Sequence, residues 1–436
     1  MVSVFQVPNF IGKVVMLLSQ FLRLSGQWIV LAAFFTCFQP PTTFSEEGCP
    51  VSSTQDILQC ALGQHPEVIN AQAEKVRDEK LVDIAKQRPN PELEGRILKE
   101  RNPGHNLSTE TSLLHTLELG GKRKARTDQA KVLFEKSSIE VKRHQEEAAL
   151  QTVLALYRLR QIKSELGRAK ETISTFDKII SALKAHPRLT PEQEVSQSSF
   201  GLVREDYKLK KITLTQEQAE LIAWLEVATG IPGQTILRHL PPAKTKWPEF
   251  SGATEPNKFS NTNLDLARSE KNLAEKNASI AKSKVWPDLK IGPSFDTESS
   301  DNGDTRWSGG IHFSVPLPIL SLNGGEKAFA KADQIRAQTH LELALRKTEA
   351  ERALLLKRYQ AVLQALRSGQ SVSHLAILHQ NLENYFEKGL VPSALVIEAH
   401  NQLYDIVQMR NEQELTGVDA LWRLVIIDGK IFDTKI

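Results

Sequence analysis

The sequence predicts a mainly α-helical protein with membrane β-strands, organised as a twofold internal repeat in which strand pairs are set into long coiled-coil helices. Three observations carry this prediction. Landmarks of the first half recur about 200 residues later. Apolar residues on the long segments alternate steps of three and four, the seam of packed helices. Four shorter segments alternate apolar and polar residues at period two, as strands with two unlike faces do.

Residues 1–45 read as an export signal. Lys13 and Arg23 precede the apolar run Trp28–Phe38, and Thr43 and Ser45 offer small residues for cleavage. The run is too short to cross a bilayer as a helix. The competing reading is a lipoprotein acylated on Cys37, but Phe34-Phe35-Thr36 lacks the usual leucine and small residues before such a cysteine. None of the three cysteines, Cys37, Cys49 and Cys60, has CxxC spacing. Export leaves Cys49 and Cys60 where a disulfide is allowed, although sequence supplies no distance between them.

The first repeat, 46–230, opens with a predicted helix over Thr54–Arg88, stopped at Pro89 because proline lacks the N–H donor and clashes with the preceding turn. Strands follow over Pro91–Arg101 and Leu107–Leu119. Gly120-Gly121 then opens a helix over Lys122–Ala185, which turns at a proline-bearing tip and returns over Pro191–Thr229 to Gly230. A linker, 231–262, carries Pro232, Pro241, Pro242, Pro248 and Pro256. The second repeat, 263–430, keeps the same order: a helix over Asn263–Trp286, two strands, Gly324-Gly325, a helix over Glu326–Lys388, a turn at Pro392 and a return over Ser393–Asp428 to Gly429. Each long helix reaches on the order of 90 Å at 1.5 Å per residue, more than a compact domain needs.

The seams name the packing residues. Leu159, Ile162, Leu166, Ala169, Ile173, Phe176, Ile180 and Leu183 form one; Leu355, Tyr359, Val362 and Leu366, then Leu375, Leu378, Leu382 and Tyr385, form the other. Seams alone are equally compatible with a dimeric coiled coil. The strands add a second constraint. Leu93 and Ile97 oppose Glu94 and Arg96; Leu113 and Leu117 oppose Glu110; Ile291 and Phe295 oppose Lys290 and Asp296; Trp307, Ile311 and Phe313 oppose Arg306 and His312. Each strand is close to the ~9–11 residues that a tilted strand needs to cross hydrocarbon. Two hairpins cannot close a barrel, and an open edge in lipid leaves backbone groups unpaired, so other protomers must supply strands. A soluble four-stranded sheet packed on the helices satisfies the same alternation.

Composition excludes several classes. Charged residues are 25% of the chain, mixed in sign, with a net charge of +3, which gives no basic patch for nucleic acid. His374 and His379 are five apart and do not share a helix face as ligands would. Neither glycine pair is followed by the Gly-Lys-Ser/Thr order of a phosphate loop. The carboxylates fall on helix and strand faces where solvation accounts for them, so no catalytic residue, cofactor or metal ligand is assigned.

The joints Ala85-Lys86 to Pro89, Pro91-Glu92-Leu93 and Ala281-Lys282 to Pro287-Asp288-Leu289 form one duplicated landmark. The stretch His115–Arg123 with its partner Val315–Gly325, and Tyr385–Val391 with Glu398-Ala399 after it, supply the others. In this duplicated order they resemble the TolC-like outer-membrane efflux proteins over nearly all of the mature chain. The resemblance implies a homotrimer whose four strands per protomer make a twelve-stranded β-barrel, with the helices forming an α-barrel, a periplasmic tunnel. It implies no enzyme. The expected role is a passive export duct in the outer membrane of a Gram-negative bacterium, served by a periplasmic adaptor and an inner-membrane pump. Leu119-Gly120-Gly121-Lys122-Arg123 is most similar to the branch serving heavy-metal resistance-nodulation-division pumps.

On this reading Leu93, Ile97, Ile291, Phe295, Trp307, Ile311 and Phe313 face lipid, and Glu94, Arg96, Glu110, Lys290, Asp296 and His312 face the lumen. The adaptor-docking tips map to Arg188, Leu189, Thr190, Glu194 and Val195, and to Gly389, Leu390, Val391 and Val396. Arg188 stands where the family usually has glycine, Leu395-Val396 lacks the acid that Glu194-Val195 retains, and Pro191 and Pro392 occupy positions that often carry a small or hydroxyl residue. The alternative, a soluble periplasmic coiled-coil adaptor, predicts no lipid-facing strand surface.

Overall fold

Ser53 starts the first helix, α1 (Thr54–Gln64): its hydroxyl accepts from the Asp56 N–H, and the Asp56 carboxylate accepts from the Ser53 N–H at 2.9 Å. The computed structural model describes residues 49–99, 107–250, 261–299, 304–368, 372–388 and 390–436. The expected export signal and Gly389 lie outside the described residues. A helix expected to run from Thr54 to Arg88 is instead divided. Pro66 has no N–H to give and biases His65 to an extended ψ of 131°, so α2 (Pro66–Lys86) begins afresh with Pro66 in its first turn. Cys49 and Cys60 form a disulfide, with Cα atoms 6.0 Å apart, which ties the segment before α1 onto that helix.

The chain then forms β1 (Glu92–Lys99) and β2 (Leu107–Leu117), followed by α3 (Lys122–Lys184), 63 residues without interruption. Thr190 and Gln193 make a reciprocal cap, with Pro191 in the first turn, for the returning helix α4 (Pro191–Thr229), which closes at Gly230. The linker contains the short α5 (Gly233–Arg238). Asn261 caps α6 (Thr262–Ser283), accepting from the Leu264 N–H at 2.9 Å. Strands β3 (Leu289–Ser299) and β4 (Thr305–Ser314) follow. The second long helix is described as α7 (Gly324–Ser368) and α8 (Val372–Glu387), with 369–371 outside the described residues, and the return is α9 (Ser393–Ile427).

Helix α3 is the spine, packing on α1, α2, α4, α6 and α9. The first seam is inside: Leu159, Ile162, Leu166, Ala169, Phe176 and Ile180 are all buried. Around its N-terminal side Leu150, Val153 and Tyr157 share a core with Leu58, Tyr359, Leu421 and Trp422, so both repeats build one interior. The linker straps across this core, where the Tyr359 hydroxyl donates to the Pro248 carbonyl at 2.7 Å and Trp247 and Phe250 meet the Tyr359 ring edge-on. Buried charges are paired: Arg352 reaches both Asp428 oxygens, at 2.8 and 3.2 Å, and Arg158 holds Glu217 and Glu165. The second seam divides. Leu355, Tyr359 and Val362 are buried, whereas Leu378 and Tyr385 on α8 are exposed, because α8 packs chiefly on α9.

The four strands form one antiparallel sheet in the order β1-β2-β3-β4, so the hairpins of the two repeats join through β2 and β3. β1 and β4 are the edges.

Candidate functional site

Register decides what the sheet presents. Leu93 pairs with Leu113, Gly95 with Thr111, Thr111 with Phe295, Ile291 with Phe313 and Thr297 with Trp307. Odd-numbered residues of all four strands therefore lie on one face, because side chains alternate and the pairing never slips by one. The seven residues expected to face lipid are all there, and they are 38 to 78% exposed. Six of the seven are more than 60% exposed, and Ile291 is the most covered.

The even face is mostly polar and partly enclosed, with Leu114 fully buried on it and Leu98 exposed. Glu94 pairs with Ser112, Arg96 with Glu110 and Glu110 with Asp296, while Ser112 and Ser294 are buried beneath them. Lys290 reaches Glu92 at 2.5 Å, and the His312 ring lies 3.8 Å from the Glu110 carboxylate. All six residues expected to face the lumen are thus on the face opposite Leu93 and Phe313. β3 spans roughly 36 Å at about 3.3 Å per residue, or near 28 Å normal to a membrane at a tilt of about 40°. Among the described residues no helix is long and apolar enough to cross a membrane.

Where the sheet meets the helices the chain is fixed by specific bonds. Gly120 has φ of +70°, and a Cβ there would fall 2.6 Å from the Trp286 Cβ, so this turn requires glycine. Lys122 bridges to Asp288 of the other repeat at 2.7 Å. Arg126 binds Glu118 at 2.7 Å and donates to the Ala85 and Gln87 carbonyls at the end of α2.

At the far end of the helices the two turns lie together. The Ser196 and Ser393 hydroxyls are 2.9 Å apart, joining the second turn of α4 to the first turn of α9. Beneath them Phe176, Phe200, Tyr207, Tyr404 and Phe386 form an aromatic cluster with edge-on contacts. Burial and Asp405 push the Tyr207 phenol well above its ordinary pKa, so it remains a donor, bonded to the His400 carbonyl at 3.0 Å. Arg188, Thr190, Glu194, Val195 and Leu390 are exposed at these turns, Leu189 and Val391 are half-buried, and Gly389 lies outside the described residues. Val396 is 1% exposed and packs in the aromatic cluster, so it supports the turn from inside and offers no docking surface. The period-three-and-four seam names Phe176 but not its partners, of which Phe200 and Tyr207 come from the returning helix of the same repeat and Tyr404 and Phe386 from the other. Among the described residues no group of three or more His, Cys, Asp or Glu side chains is placed to hold a metal ion.

No protein-family model and no curated protein matches the chain. Solved structures do. A membrane protein from Pseudomonas aeruginosa is similar at 14% identity and a TM-score of 0.70, over 89% of this chain and 95% of that one. The Campylobacter jejuni CmeC outer membrane channel matches at 13% identity and 0.70, over 89% and 90%. The open state of the Neisseria gonorrhoeae MtrE outer membrane channel matches at 13% identity and 0.63, over 87% and 89%. At such identities the likeness is one of fold. The TolC-like architecture expected from the duplicated landmarks is borne out as a fold, this chain having long helices and a four-stranded sheet.

Proposed function

We propose that this protein is an outer-membrane export duct, a homotrimer in which each copy contributes four strands to a twelve-stranded barrel and its helices to a periplasmic tunnel. The observation that carries the reading is the sheet's exposed apolar face, bounded by two unpaired edges. In water such a face is an aggregation surface and such edges are templates for mispairing. In a membrane barrel both are satisfied, because lipid covers the face and neighbouring copies close the edges. A soluble adaptor has no use for either.

The two repeats, 46–230 and 263–430, act as two copies of one half-protomer. The polar face, with Glu94, Arg96, Glu110, Lys290, Asp296 and His312, lines a water-filled bore, and conduction is passive. No catalytic step is assigned. The paired turns at the helix tips are the docking surface for a periplasmic adaptor, which links the duct to an inner-membrane pump of the resistance-nodulation-division type. The similarity of Leu119–Arg123 to the heavy-metal branch makes metal efflux the first cargo to assay.

Membrane fractionation with heat-dependent gel mobility tests the duct. A detergent-extracted oligomer from the outer membrane that dissociates on heating is expected; recovery solely from the soluble periplasm overturns the reading. At the tips, Glu194→Gln with Leu390→Asp leaves the oligomer intact and lowers export-dependent resistance. Full resistance in that variant removes the docking role.

A further inference from the structure

At the foot of the sheet an open pocket of about 830 Å³ lies between the end of β2, the end of α2 and the first turns of α3, and its cationic side chains are exposed. Five cationic side chains line it, Lys86, Arg88, Arg123, Lys124 and Lys131, against two carboxylates, Glu118 and Asp128. Glu118 is already bound to Arg126. Lys86 meets Asp83 at 3.4 Å in the open. Among the described residues no carboxylate lies within ion-pair distance of Arg88, Arg123, Lys124 or Lys131, whereas Lys122 and Arg126 in the same stretch are both paired. Like charges gathered without counter-ions repel one another, and a bound anion relieves that repulsion.

The rest of the wall mixes the polar His115, Thr116 and Thr127 with the apolar Pro89, Leu117 and Leu119. Leu117 and Leu119 border the cavity and continue the odd register of Leu113 and Leu93. The basic cluster therefore sits directly below the exposed apolar face, at the end of the sheet that carries the helices.

We propose that this pocket binds the headgroup of an anionic phospholipid in the leaflet nearest the helices. The phosphate lies against Arg88, Arg123 and Lys124, and the acyl chains run up Leu117 and the apolar face of β1 and β2. The inference rests on the membrane reading of that face. Arginine suits the role because its planar donors meet two phosphate oxygens at once. A free anion has no use for Leu117 and Leu119. On the barrel reading a second copy joins at the β1 and β4 edges, whereas β2 lies between β1 and β3, and its last residues, His115 to Leu117, pair with β3. Lipid is the occupant that uses both the charge and the apolar wall.

The experiment is native mass spectrometry of the detergent-extracted oligomer, titrated with phosphatidylglycerol, with phosphatidylcholine of the same acyl chains, and with inorganic phosphate. Each basic side chain near an anionic headgroup is worth roughly fivefold in affinity. Wild type is expected to retain phosphatidylglycerol at least about tenfold better than phosphatidylcholine, with inorganic phosphate competing weakly. The Arg88→Gln, Arg123→Gln, Lys124→Gln variant is expected to lose that preference while keeping its heat-dissociable oligomer. Equal retention of the two lipids by wild type, an unchanged preference in the variant, or full displacement by inorganic phosphate overturns the proposal and leaves the duct standing. Should the triple variant fail to assemble, the single Lys124→Gln variant, at an exposed position on α3, gives the second reading, and an unchanged preference there overturns the proposal. Recovery of the wild-type chain as a soluble monomer overturns both.

Discussion

Trp422 and Trp307 are the same residue used in opposite ways. Trp422, on α9, is fully buried in the core shared by the two repeats, whereas Trp307, on β4, is 78% exposed beside other exposed apolar side chains. The helical region solves its packing within one chain. Its seam on α3 closes against α1, α4 and α9, and its buried arginines find carboxylates. The sheet does the reverse, placing serines and charges on its enclosed face and leaving Phe295, Ile311 and Phe313 outside. Apolar burial is worth roughly 25 cal/mol per Å² removed from water, so a chain that withholds a whole face from its own core must bury it elsewhere. On the proposed reading the difference teaches that the sheet's solvent is lipid.

The largest expected effect breaks this contrast directly. Trp422→Ala opens a cavity in a closed core and is expected to cost about 3–5 kcal/mol, while Phe313→Ala costs under about 1 kcal/mol, since no protein atoms close over it. Denaturant midpoints of the purified oligomers measure both. Equal losses would mean that the sheet face is packed against protein. Next in size is Ile311→Asp. A carboxylate on the lipid face is expected to impair membrane assembly by up to about 2–4 kcal/mol, depending on depth. Ser308→Asp, on the opposite face of β4, is expected to assemble as wild type. Normal trimer yield from both, read on unheated gels, would count against the register.

The smallest effect sharpens the helical side. Burial raises the Glu146 carboxyl from 4.5 to about 7, the hydrogen bond from the Thr262 hydroxyl opposes the shift, and Asp265 adds to it. The folded protein therefore holds this proton more tightly than the unfolded chain does. Its contribution, roughly 3 kcal/mol at most, is full below pH 4.5, falls as pH rises toward 7 and is absent above it. Glu146→Gln should flatten stability across that window and exceed wild type at pH 8. Urea midpoints at pH 5 and pH 8 check the sign.

Much of this architecture was legible in the residues, for physical reasons. A seam such as Leu159–Ile162–Leu166 and an alternation such as Trp307–Ser308–Ile311–His312 each imply one backbone period, and duplication at long spacing implies two half-chains. Pro191 and Pro392 marked both turns. The break at His65 was missed because Pro66 falls within a stretch that otherwise reads as one helix. The Cys49–Cys60 bridge could not be read, since pairing depends on a Cα distance that sequence does not supply. Val396 was placed with the tips by its position after Pro392, yet the helix turns it inward onto the aromatic cluster. The basic pocket is not legible in the sequence, because Arg88 and Arg123 are brought together only when β1 and β2 fold back and return the chain to the end of α2.

The central claim is that odd residues of the sheet meet lipid and even residues meet water. A fluorophore on Ile311→Cys and, separately, on Ser308→Cys, in protein reconstituted with brominated phospholipid, tests it most directly. Strong quenching at 311 with little at 308 is the predicted result. Equal quenching at both positions, or quenching confined to 308, would contradict it.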